Sequence, residues 1–162
     1  MAPAKSPVPA GYHTVSPMLT FEECGAALDW YVKGLGAEEL TRNQGPDGKI
    51  MHATFKVGDS ILMAHDVMMD GGKGPKGFGG SPVSLWAFVP DVDAVFNRAV
   101  AAGATAIRPV EDQFWGDRTG TLRDPHGMVW HIATRKEDLT DAELDQRAQD
   151  FFKQFAGGPG KK

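Results

Sequence analysis

The chain has 162 residues, 41% of them hydrophobic and 23% charged, with a formal net charge of -4. That length and balance suit one globular domain, and the lack of any Lys/Arg cluster speaks against nucleic acid as a partner. Cys24 is the single cysteine, so no internal disulfide or multi-cysteine zinc site can form, and a reducing cytoplasm is the expected compartment.

The opening "MAPAKSPVPA", residues 1–10, carries three prolines and no apolar core, and reads as a disordered lead-in rather than a signal peptide. Residues 12–19, "YHTVSPML", read as a strand. In "TFEECGAALDWYVKGLG", Phe21, Cys24, Ala27, Leu28, Tyr31 and Val32 recur near a helical period, and Gly34 and Gly36 end it. "AEELTRN" is a short strand, "GPDGK" a turn, and "IMHATFKV" and "SILMAHD" are strands joined by "GDS".

The same order then returns. Residues 82–89 form a strand, followed by the helix "DVDAVFNRAVAAGA" with Asp91 as N-cap and Gly103 as stop. "TAIRPV", "FWGDRTGTLR" and "MVWHIAT" are three more strands, the last after a "DPHG" turn. Aligning Gly36-Ala37 with Gly103-Ala104 brings both helices into line. The expected fold class is therefore α+β: two tandem βαβββ modules, residues 11–67 and 82–135, in one domain over 11–135. Together they should form a curved eight-stranded sheet around a cavity.

Between the modules, residues 68–81 are glycine-rich and contain a literal GxGxxG from Gly72 to Gly77. A strand rather than a helix follows it and Pro75 lies inside it, so a flexible linker or lid is the better reading than a nucleotide loop. Residues 136–156 read as a C-terminal amphipathic helix. Thr140 and Glu143 form a capping box, and Leu144, Ala148, Phe151, Phe152 and Phe155 share one face. Three phenylalanines, at about 2 kcal/mol each if buried, require that face to dock, on its own sheet or on a second subunit. Residues 157–162 read as a disordered tail, and no apolar run reaches membrane length.

The paired units, with "DWYVKGLGAEEL", "VPDVDAVFNRAVAAGA" and "DPHGMVWHIA", resemble the vicinal oxygen chelate superfamily, which includes glyoxalase I, extradiol dioxygenases and bleomycin-resistance proteins. "IMHATFKVGDSILMAHD" and "EDQFWGDRTGTLRDP" are most similar to its PhnB-like, glyoxalase-related group. The resemblance implies a cavity between the modules, a small organic molecule as ligand, and a homodimer. It also implies up to four metal ligands on the first and last strands of each module. Those positions fall here on Ser16, Met63, Ser84 and His131, with His65 on the same face as Met63. Serine and methionine are poor ligands for Zn²⁺, Ni²⁺ or Fe²⁺. No cofactor is therefore expected, and a divalent metal could be held only weakly, through His65 and His131.

His131 reads equally as a hydrogen-bonded core histidine or as a ligand-holding or catalytic group. His52 shares a strand face with Thr54 and lines the cavity or bonds between strands. His13 reads as structural and His126 as solvated in its turn. Trp86 shares a face with Ser84. Phe114, Trp115, Asp117 and Arg118 either wall a pocket for a planar or anionic molecule or pair within the sheet. Two functions follow: a metal-free binder of a small organic molecule, or a metal-assisted lyase or isomerase using His131.

Overall fold

The computed structural model describes residues 4, 6–68 and 72–156; the lead-in and linker fall partly, and the tail over 157–162 wholly, outside them, as does the Phe155 side chain. Eight strands form two four-stranded sheets. In the first, β1 (Met18–Phe21), β4 (Ser60–Asp66), β3 (Ile50–Val57) and β2 (Glu38–Gln44) lie in that spatial order. In the second the order repeats as β5 (Ser84–Phe88), β8 (Val129–Arg135), β7 (Asp117–Arg123) and β6 (Thr105–Asp112). In each sheet the first strand runs parallel to the last, and the other pairs are antiparallel. This is the expected pair of βαβββ modules.

Helix α1 (Cys24–Trp30) continues into a π-helical turn, Tyr31–Leu35, which ends at Gly36 with φ +71°. Helix α3 (Val92–Ala101) is capped by Asp91, whose carboxylate accepts the Ala94 N–H at 3.0 Å. The duplication extends to how each helix starts. The Asp66 carboxylate at the end of β4 accepts the Cys24 N–H at 2.7 Å, and the Thr134 hydroxyl in β8 accepts the Val92 N–H at 2.8 Å. Asp66 also accepts the Ile50 N–H at 2.6 Å, so one buried carboxylate fixes both α1 and β3.

One core joins the modules. Phe21, Tyr31, Phe55, Leu122, Trp130 and Ile132 are buried together, and Tyr31 stacks on Phe55 with centroids 5.0 Å apart. Asp124, at the start of the "DPHG" turn, accepts from Tyr31 Oη at 2.9 Å, Trp130 Nε1 at 3.2 Å and the N–H groups of His126 and Met128. Trp30 Nε1 donates to the Ala102 carbonyl at 3.0 Å and Arg98 Nε to the Gly34 carbonyl at 3.1 Å, tying each helix to the other module. At Gly120 a Cβ would lie 2.7 Å from Phe96 and 2.8 Å from Val110, so glycine there lets α3 and β6 close on β7.

Three expectations change. The first strand begins at Met18 instead of residue 12, because Pro17 has no N–H for the ladder, although its carbonyl already accepts from the Met63 N–H at 2.9 Å. His126 is 8% exposed instead of solvated: its turn folds back so that the ring meets the edge of Phe21 at 6.1 Å. The linker holds a short helix, α2 (Pro75–Phe78). The Glu22 carboxylate accepts the Gly74 and Gly77 N–H groups at 3.0 and 2.8 Å, so the donors of the GxGxxG match are taken by the chain's own anion.

Helix α4 (Asp141–Ala156) starts in the expected capping box: Thr140 N–H donates to Glu143 Oε2 at 2.8 Å and Glu143 N–H to Thr140 Oγ1 at 3.3 Å. It docks in cis. Phe151 meets Phe114 at 4.9 Å and Arg147 pairs with Glu137 at 2.6 Å, while Phe152 stays 61% exposed.

Candidate functional site

Strand alternation gives each sheet one face in the shared core and one face turned away from it. In β5, Leu85 and Ala87 pack against the core, whereas Ser84, Trp86 and Phe88 are exposed, Trp86 by 45% and Phe88 by 63%. Large aromatics on an open sheet face are apolar surface that a ligand or partner would cover.

Trp86 pairs in register with His131, and the two rings stack with centroids 5.1 Å apart and planes 20° from parallel. His131 Nδ1 lies 3.0 Å from Thr121 Oγ1, its neighbour on β7. Burial, and then the Arg108 cation, hold the imidazole below the usual histidine range, which favours its neutral form. With Nδ1 on the Thr121 hydroxyl, Nε2 has no hydrogen-bond partner among the described residues.

The first sheet's outer face is more polar. His65 Nδ1 is 2.8 Å from the Asp66 carbonyl, which can only accept, and Nε2 is 3.0 Å from Thr20 Oγ1. Both ring nitrogens are therefore engaged. Thr41 and Thr54 hydroxyls meet at 2.7 Å, with His52 half-buried beside Thr54's strand face and Met63 opposite Thr54 in register.

A cavity of about 520 Å³ opens where the β3–β4 hairpin and the segment before β1 approach β5. Ser16, Ile61, Trp86, Phe88 and Trp130 line it, with His13 at its edge. Of the residues expected around a cavity, Ser16 and Trp86 meet there. Ser84 and His131 lie on the second sheet's outer face, and His52, Met63 and His65 on the first.

Phe114, Trp115, Asp117 and Arg118 are engaged with the chain itself. Asp117 is 5% exposed and accepts from Trp115 Nε1 at 3.1 Å and Arg135 Nη1 at 3.2 Å. Arg118 forks onto Asp93 through two bonds of 2.8 Å and reaches Asp112 at 3.2 Å. Phe114 packs between Trp115 and Phe151.

The metal positions implied by the fold do not fit a metal within one chain. Ser16 and Met63 are poor donors, both His65 nitrogens are occupied, and His131 stands on the other sheet. Among the described residues, no three His, Cys, Asp or Glu side chains converge to hold an ion.

Sequence reasoning passed over Arg108, Thr121 and Phe88. Phe88 alternates with Trp86 and was open to a period-two reading. Arg108 was not, because register shifts between Ala106 and Arg108, and between Arg108 and Glu111, set its position.

Comparison with known proteins places this architecture. The Mycobacterium bovis protein Mb0911c is 45% identical over 134 residues, covering 80% of this chain and 88% of that protein. The Arabidopsis thaliana protein At5g48480 is 25% identical over 127 residues, covering 74% of this chain and 76% of its own. Among solved structures, TioX from Micromonospora sp. ML1 superposes with a TM-score of 0.59 at 30% identity, covering 79% of this chain and all (100%) of TioX. The PhnB protein from Bacillus cereus shares the fold, with a TM-score of 0.60 at 19% identity over 75% of this chain and 99% of its own. The family model for the Glyoxalase/Bleomycin resistance protein/Dioxygenase superfamily matches residues 13–132, and the chain belongs to that superfamily.

Proposed function

We propose that this chain binds a small organic molecule against the Trp86–His131 pair, without a tightly held metal. One observation carries the reading: an exposed indole that lines a cavity of ligand size is stacked on an imidazole whose Nε2 has no partner among the described residues. A flat ring could continue the stack while a polar substituent met the imidazole.

A homodimer is part of the proposal. Met18, Met51, Trp86, Phe88 and Ile107 are exposed apolar side chains, and a second copy would cover them and close the site. A cytoplasmic location fits the buried free thiol of Cys24.

The test is thermal unfolding with a panel of indole, 2-naphthol and quinoline. A raised midpoint that Trp86→Ala abolishes supports the reading. No rise with any of them, or a rise untouched by Trp86→Ala, contradicts it. The open Nε2 also favours a second reading, a metal-assisted lyase or isomerase using His131. Stoichiometric divalent metal in protein purified without chelator, lost in His131→Ala, would establish that reading instead.

A further inference from the structure

Trp86, His131, Thr121 and Arg108 form a single transverse row across the second sheet. Each is the register partner of the next, through β5, β8, β7 and β6. Directly opposed residues project to the same face, so the row runs along the outer surface for three strand spacings, about 14 Å between its end Cα atoms. An aromatic platform stands at one end and a guanidinium at the other, with the open imidazole nitrogen and the Thr121 hydroxyl between them.

Arg108 is unusual in this chain. Arg42, Arg118, Arg135 and Arg147 are each paired to carboxylates, and Arg98 donates to a backbone carbonyl. Arg108 and Arg123 have no hydrogen bond or ion pair among the described residues. Both register beside the same row: Arg108 opposes Thr121, and Arg123 is two residues along β7 from it, hence on the same face. The Arg108 cation is near enough to weigh on the His131 imidazole. Two exposed guanidinium groups that no carboxylate of the described residues engages stand at one end of an aromatic surface, where an anionic group on a ring ligand could meet them.

We infer that the ligand is an aromatic carboxylic acid whose ring lies across the exposed edges of the stacked Trp86–His131 pair and whose carboxylate reaches along the row to Arg108. The inference rests on the proposed function and narrows its ligand class. A neutral aromatic of the same size would keep the ring contact and lose the charged one. With the Thr121 hydroxyl donating to Nδ1, the proton of the neutral imidazole sits on Nε2 and can be donated to the carboxylate as it passes.

Calorimetric titration with indole-3-butyrate and its neutral amide, indole-3-butyramide, separates the parts. The acid should bind at least tenfold more tightly than the amide at low salt. Arg108→Gln should remove that preference by weakening the acid far more than the amide, and Arg108→Lys should keep part of it. Trp86→Ala should weaken both ligands. Equal binding of acid and amide, weakened by Trp86→Ala, would overturn the anion inference and leave the binding site standing. Binding of neither would overturn both. If Arg108→Gln altered the sedimentation mass but not the acid preference, the guanidinium would serve a carboxylate of a second copy, and the inference would fall.

Discussion

Tyr31 Oη donates to Asp124 Oδ2 at 2.9 Å across 93 residues of sequence, joining the first module's helix to the second module's turn inside the core. Both groups are buried, and the phenol is held well above its usual range, by burial first and then by the Asp124 carboxylate. Removing the hydroxyl takes one of four donors from a buried carboxylate. Tyr31→Phe should cost about 1.5–3 kcal/mol in urea unfolding. A single transition should persist, because the core crosses both modules.

Acid should weaken the fold by a route through two histidines. Burial holds both His126 and His131 below the ordinary value of 6.5. A depressed folded-state value means the unfolded chain takes up the proton more readily. The stabilising contribution is therefore full above pH 6.5 and is lost as pH falls through the lower folded values. Urea midpoints measured from pH 7.5 to 5 should decline, and His126→Asn should flatten the decline. A midpoint that held constant would contradict the burial of these rings.

Cys24 should be silent until the protein opens. It is fully buried, and burial, aided by Asp66, pushes its thiol up to about 12. The thiolate is the reactive form. Iodoacetamide at pH 8 should leave native protein unmodified and label it fully in urea. The raised value also predicts stability that is full below pH 9 and falls as pH climbs toward 12.

Glu22 should govern cleavage of the segment between the modules. Its carboxylate holds the Gly74 and Gly77 N–H groups, and Lys73 and Lys76 lie between and beside them. Glu22→Ala should speed tryptic cutting after Lys73 and Lys76 at unchanged global stability. Equal cutting of both proteins would show that the carboxylate does not restrain this segment.

Much of this fold is readable from period and punctuation. Gly36 and Gly103, at φ +71° and +106°, end the helical segments at matching places, and their spacing reveals the duplication. The capping box of Thr140 and Glu143 is a local signal and forms as the pattern requires. The site is less readable because it depends on register. His131 is visible as a strand histidine, but its Trp86 stack and Thr121 bond arise only once β5 and β7 flank β8. Arg108 joins the row through irregular pairing between β6 and β7, which alternation cannot show. Phe114 and Arg118 look like a pocket wall in sequence because aromatics and charges cluster there. The groups they meet, Phe151 and Asp93, are distant in the chain.

The most direct test is to watch the rings themselves by NMR during titration with indole-3-butyrate. The Trp86 indole and His131 imidazole signals should move together. That of Trp30, which lies outside the cavity lining with its N–H bonded to the Ala102 carbonyl, should stay in place. Shifts confined to other residues, with Trp86 and His131 unmoved at saturation, would contradict the assignment of this sheet face as the ligand site.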